Sequence, residues 1–129
     1  MGMEDAQRLL ELPKCIVLVI DDDECIRASL AEALELSGYQ VVVAADGQEG
    51  VELLEVGLEP KAIVLDLMMP RMDGWTFLRH IRGHPKYRDL PVVVTSAVAG
   101  EGPAEADSSL QKPFDVHDLD REVARLCSH

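Results

Sequence analysis

Residues at four strand-like ends carry most of the chemical information in this chain. Asp66 closes an apolar run, Ala62-Ile63-Val64-Leu65, and opens the segment Asp66-Leu67-Met68-Met69-Pro70-Arg71-Met72-Asp73-Gly74. A second apolar run, Cys15 to Ile20, also ends in acids, Asp21-Asp22-Asp23. Ser96 follows a third run and Lys112 a short fourth one. If these runs are parallel strands of one open sheet, all four ends share the edge where such sheets bind ligands. Carboxylates gathered there repel one another unless a cation or a proton intervenes. Mg²⁺ suits that place, because it takes oxygen ligands, keeps several waters and commonly joins a carboxylate to a phosphate. An ammonium and a hydroxyl facing the cluster are what phosphoryl oxygens need. The residues therefore point to phosphoryl transfer onto, or near, an aspartate. Asp is equally suited to helix caps. Either acidic strand end alone would carry little weight, and it is their joint placement that matters.

The elements that must position these groups follow from the apolar pattern, in which short runs alternate with helix-period segments five times. Cys15–Ile20 is continuously apolar, as expected of a strand covered on both faces. Asp23 to Ser37 predicts a helix, with Ile26, Leu30 and Leu34 on one face and Gly38 as its stop. Gln40–Val43 is a second strand. Asp46 with Glu49 resembles a capping box and opens a helix ending near Gly57. Lys61–Leu65 is the third strand, and Asp73-Gly74 reads as a turn before a helix from Trp75 to Arg82. Pro91–Thr95 is the fourth strand. Gly100, Gly102 and Pro103 then oppose a helix. Val98 to Asp107 is expected to be a mobile loop or a single turn that leaves the neighbouring sheet edge less covered. Ser109–Gln111 is a short fifth strand, and Asp115 caps a last helix through Val116, Leu119, Val123 and Leu126. Such alternation means parallel strands with right-handed crossovers.

The length of 129 residues favours one domain, taken as residues 15–129 behind an extension of residues 1–14. Hydrophobic residues make up 47% of the chain but aromatics only 4%, so the core must be aliphatic. A net charge of -12 argues against direct nucleic-acid binding and against an anionic membrane surface. Three cysteines without a C-x-x-C spacing argue against a disulfide framework and for a reducing, cytoplasmic setting. No stretch reads as a signal peptide or a bilayer span. His80 and His84 have a helical metal-ligand spacing, but Gly83 and Pro85 place the helix end between them and make them surface residues.

Four blocks in order complete the reading: Val17-Leu18-Val19-Ile20-Asp21-Asp22-Asp23, Leu65-Asp66-Leu67-Met68-Met69-Pro70 with Met72-Asp73-Gly74, Leu90-Pro91-Val92-Val93-Val94-Thr95-Ser96-Ala97, and Lys112-Pro113-Phe114. Together, over about residues 15 to 127, they resemble the receiver domain of bacterial two-component response regulators. The resemblance implies an α/β fold, a flavodoxin-like, doubly wound, five-stranded parallel sheet of order 2-1-3-4-5. Its helix between the fourth and fifth strands would be shortened or absent.

The resemblance also implies roles. Asp66 would be the phosphoacceptor, forming an acyl phosphate. Asp22, Asp66 and the backbone carbonyl of Met68 would hold Mg²⁺, with Asp21 acting through a metal-bound water. The Ser96 hydroxyl, the Ala97 N–H and Lys112 would take the phosphoryl oxygens. Such a domain is a phosphorylation-controlled switch that catalyses only its own Mg²⁺-dependent phosphorylation and dephosphorylation. Its implied partners are a sensor histidine kinase or phosphotransfer protein and a downstream protein or effector domain. The alternative is a pseudo-receiver, the same fold binding proteins without phosphorylation. A phosphohydrolase would need a second acid two residues after Asp66, where Met68 stands. Two departures from the family pattern stand out: the short stretch between Ser96 and Lys112, and Ser109 in place of an aromatic ring. They turn the expected output away from the last strand and helix, towards the first helix or the region near Trp75.

Overall fold

The computed structural model describes residues 15–97 and 102–127. Five strands, β1 (Ile16–Ile20), β2 (Gln40–Ala44), β3 (Ala62–Asp66), β4 (Val92–Ser96) and β5 (Ser108–Gln111), alternate with four described helices. These are α1 (Glu24–Leu36), α2 (Gly47–Glu55), α3 (Gly74–Arg82) and α4 (Val116–Cys127). Every strand pair is parallel, and the order is β2-β1-β3-β4-β5. This is the flavodoxin-like arrangement, with element boundaries within a residue or two of those expected from sequence. The proposed extension, residues 1–14, lies outside the described residues.

Strand periodicity sorts the core into two layers. Val17, Val19, Ala62, Val64 and Val93 face Leu30 and Leu34 of α1 and Leu119, Val123 and Leu126 of α4. Leu18, Ile20, Ile63, Leu65, Val92 and Val94 face Val51 and Leu54 of α2 and Phe77, Leu78 and Ile81 of α3. Both faces of the central strands are thus dry, which is why they read as unbroken apolar runs. Aspartates begin three helices: Asp23 accepts from Ile26 N–H, Asp46 from Glu49 N–H and Asp73 from Thr76 N–H. Asp73-Gly74 is therefore a cap and a first helical residue rather than a free turn.

Among the described residues, the connection from β4 to β5 is the one between consecutive strands that holds no helix. Residues 98–101 lie outside the described residues, and residues 102–107 hold a single turn and no helix. The edge strand β5 is exposed at Ser109 and Gln111, in keeping with that expectation, whereas β4 beneath the connection is closed: Val92, Val93 and Val94 are fully buried. Arg82 explains this. Its guanidinium donates to the carbonyls of Glu105, Arg88 and Leu90 and to the Asp107 carboxylate, at 2.7–2.9 Å. Asp107 in turn accepts from Val92 N–H at 2.8 Å and donates its own N–H to the Val92 carbonyl. A C^β at Gly102 would lie 2.7 Å from Ser109 Oγ and 2.9 Å from Val94 Cγ2, so bare backbone packs there.

Candidate phosphoryl and metal site

Parallel register delivers the chemistry to one edge. Asp21 and Asp22 leave β1, Asp66 ends β3, Ser96 ends β4 and Lys112 follows β5. Asp66 pairs in register with Thr95, and Ser96 with Gln111, so the four strand ends are level. The edge lies at the β1/β3 boundary, where the strand order reverses and doubly wound sheets open a crevice.

There the carboxylates of Asp21, Asp22 and Asp66 offer oxygens that all lie within 4.8 Å of one another. Asp21 and Asp66 are buried, while Asp22 is exposed. Lys112 Nζ lies 3.2 Å from Asp21 Oδ2 and 3.5 Å from Asp66 Oδ1, bridging the two buried acids. Asp21 is thus the nearer partner of the lysine, a structural use that no spacing in the sequence indicates. Asp21 Oδ1 also accepts from Asp23 N–H at 2.9 Å, and Asp66 Oδ1 from Met68 N–H at 3.3 Å.

Burial first, and then the charge of Asp21, push the Asp66 carboxyl up to about 6, against the opposing pull of Lys112 and the Met68 N–H. One ammonium cannot neutralise three carboxylates. A hard dication fits what remains, because every donor is an oxygen and the exposed Asp22 leaves one side open to water. A zinc-type set of nitrogen and sulfur ligands is not what these residues offer.

Two backbone features hold Asp66 and Lys112 in place. Gly74 N–H donates to the Leu67 carbonyl at 3.0 Å. A C^β on Gly74 would fall 2.6 Å from both the Asp66 carbonyl oxygen and Leu67 Cα, so any larger residue would push the chain out of β3's end. On the other side, the Lys112 N–H donates to the Ser96 carbonyl at 2.7 Å, tying the lysine to the end of β4 just before a cis Lys112–Pro113 peptide. Ser96 is buried and Ala97 follows it at the surface. All seven residues named from the sequence for this site, Asp21, Asp22, Asp66, Met68, Ser96, Ala97 and Lys112, lie on this edge. His80 and His84 are exposed, with Gly83 capping α3 between them, and lie outside the cluster.

A family model for the response regulator receiver domain matches residues 17–124. The chain belongs to the response regulator receiver domain family. Among curated relatives, the response regulator MprA of Mycolicibacterium vanbaalenii is 42% identical over 110 residues, covering 80% of this chain and 46% of that protein. The DNA-binding dual master transcriptional regulator RpaA of Synechocystis sp. is 38% identical over 116 residues, covering 85% of this chain and 48% of its own. The receiver thus spans about half the length of the curated relatives it matches.

Solved receivers superpose closely. The receiver domain of sensor histidine kinase PA1611 from Pseudomonas aeruginosa has a magnesium ion coordinated in its active site cleft. It gives a TM-score of 0.82 at 27% identity, over 91% of this chain and 100% of that one. Chemotaxis response regulator CheY4 of Vibrio cholerae gives 0.81 at 29% identity, over 88% and 99%.

Sequence reasoning missed one pair near the site. Asp46 was read only as a cap, and Arg71 was not singled out, yet Arg71 Nε lies 2.6 Å from Asp46 Oδ2. The two stand 25 residues apart, and no spacing rule connects them.

Proposed function

We propose that this receiver is a phosphorylation-controlled switch of a two-component system. Asp66 accepts a phosphoryl group from the phosphohistidine of a sensor histidine kinase or phosphotransfer protein. The observation that carries the reading is the convergence of Asp21, Asp22, Asp66 and Lys112 at one sheet edge, with Lys112 3.5 Å from Asp66. An Asp66 oxygen forms a bond to phosphorus as the phosphorus–nitrogen bond breaks, and the electron pair returns to the imidazole. The product is an acyl phosphate. Asp22, Asp66 and the Met68 carbonyl would hold Mg²⁺, with Asp21 reaching it through water. The metal supplies charge neutralisation for the phosphoryl oxygens as they approach a carboxylate. Lys112 exchanges part of its contact with Asp66 for a phosphoryl oxygen, while the Ser96 hydroxyl and the Ala97 N–H take the others. The burial of Asp66 and Asp21 means that these dipoles act in poor solvent, where each is worth more than in water.

The domain so described, residues 15–129, turns over no substrate but its own phosphoryl group. The place fitting it is the cytoplasm, with a downstream protein or effector domain as its second partner. A charge of -12 disfavours direct binding of this chain to nucleic acid or anionic membrane, and among the described residues no helix is long and apolar enough to cross a membrane. RpaA, a protein about twice the matched length, is a DNA-binding transcriptional regulator, which fits an effector domain as one such partner.

Intact-mass measurement after incubation with acetyl phosphate and Mg²⁺ tests the proposal. A single phosphoryl addition is expected, absent in Asp66→Asn. No addition from acetyl phosphate or from a competent kinase would leave the pseudo-receiver, a protein-binding module, as the better reading.

A further inference from the structure

Arg71 lies in the loop between Asp66 and α3 with φ 63, among the described residues the one non-glycine with a positive φ. A long L side chain is strained there and persists only where its surroundings over-determine it. The surroundings are a carboxylate. Arg71 Nε and Nη2 both approach Asp46 Oδ2, at 2.6 and 2.5 Å, and the Asp46 side chain is almost wholly buried. The other oxygen, Asp46 Oδ1, caps α2 on Glu49 N–H at 2.9 Å. The next residue repeats the tie through its backbone: Gly47 N–H donates to the Met72 carbonyl at 3.1 Å. A C^β at Gly47 would lie 2.6 Å from that same oxygen. Two consecutive loop residues are thus fastened to the first turn of α2. The loop's far ends are fastened too, Met68 N–H to Asp66 Oδ1 and Gly74 N–H to the Leu67 carbonyl. Burial pushes the Asp46 carboxyl up, but the Glu49 N–H and the Arg71 guanidinium outweigh it and hold it below the usual carboxylate range.

We infer that Arg71 is a positioning residue: its ion pair with Asp46 holds the left-handed turn that fixes the Met68 carbonyl, and so sets how tightly the crevice binds Mg²⁺. The inference rests on the reading of Met68 as a metal ligand. Left to its own preference, this turn would take Gly or Asn. Arginine accepts backbone strain here, and the buried carboxylate of Asp46 holds the strained form. The loop is then stiff before the metal arrives, and less ordering is left to occur on binding.

The experiment separates this role from a purely structural one. Asp46→Asn keeps a good cap on α2 and removes the charge. Arg71→Gly removes the pair and relieves the left-handed strain. Mg²⁺ is titrated against the fluorescence of Trp75, the chain's single tryptophan, which lies in the first turn of α3. The same titration is repeated on the rate of phosphorylation by acetyl phosphate. Each variant is expected to weaken Mg²⁺ binding about tenfold, the low end of what supporting residues around a metal cost when lost. The change should appear in the half-saturating Mg²⁺ concentration rather than in the maximal rate. Arg71→Lys should recover part of the loss, and the double variant should be no worse than either single one. Arg71→Gly relieves the backbone strain but leaves Asp46 without its partner, so melting temperatures are recorded beside the titrations, and the loss of Mg²⁺ affinity should not scale with the loss of stability across the variants. Unchanged Mg²⁺ affinity in both single variants overturns the inference, as do losses that add in the double variant. Asp22→Ala serves as the control on the underlying reading. If it binds Mg²⁺ as the parent does, the metal assignment itself fails, whatever Arg71 does.

Discussion

Asp66 is a buried acid beside a second buried acid, and its protonation carries the first prediction. Its carboxyl is pushed up to about 6 from an ordinary 3.8. Between those two values the folded protein holds a proton that the unfolded chain has released. Linkage then makes stability fall as pH rises through that window. In metal-free buffer the contribution is fully present below about pH 4 and gone above about pH 6. Asp66→Asn removes the titration. It should therefore be more stable than the parent at pH 7 in EDTA, with the gap closing by pH 4. Urea denaturation at both pH values measures this, and an Asp66→Asn protein less stable at pH 7 would refute it. The same proton competes with metal, so Mg²⁺ affinity should drop about tenfold per unit below pH 6.

A second residue prediction concerns Asp22, which is exposed. Asp22→Ala should lose Mg²⁺-dependent phosphorylation with its circular dichroism unchanged. Its metal-free melting temperature should hold or rise, because one like charge leaves the cluster. At this scale the sequence was most legible where chemistry sits at strand ends: Asp21, Asp22, Asp66, Ser96 and Lys112 all fell where alternation put them. Asp46 and Arg71 were not legible, because an ion pair between two loops obeys no period.

Among the elements, helix and strand identities were readable because dry faces demand unbroken apolar runs and aspartates mark helix starts. What closes the β4–β5 connection was not readable. A single guanidinium, Arg82, gathers three carbonyls and the Asp107 carboxylate from separate loops. Sequence patterns report which residues are apolar, not where a long polar side chain ends. Arg82→Lys cannot reproduce this fork of donors and should cost about 2 kcal/mol, taking the charged hydrogen bonds at the low end of their worth. Faster amide exchange of Asp107 should accompany the loss in stability, and a variant as stable as the parent would sink the account. On β4 the Thr95 hydroxyl is buried without a hydrogen-bond partner. Thr95→Val keeps the shape and removes the orphaned group, so it should stabilise by about 1 kcal/mol. Chemical denaturation would read a loss instead if the hydroxyl were in fact paired.

Across the whole molecule, the question is which surface carries a phosphorylation signal outward. The loop from Met68 to Asp73 joins the acidic cluster around Asp66 to α3 directly and to α2 through Asp46 and Gly47. β5, by contrast, offers Ser109 and no ring. Hydrogen exchange with and without phosphorylation should change mostly in residues 67–82 and in α1. A response confined to β5 and α4 would restore the output face usual for the family.

The bare backbone at Gly102 has one more consequence. It occupies the space beside Ser109 and Val94 into which a side chain at 102 cannot enter. Positions 102 and 109 therefore compete for one volume, and whichever fills it excludes the other. A ring restored at 109 in this background would have to displace the connection that crosses it. The short connection and the ringless position 109 are thus coupled through one volume. Reversal one mutation at a time passes through a misfit, so the two should show strong epistasis, and only a lengthened loop together with an aromatic at 109 should be tolerated.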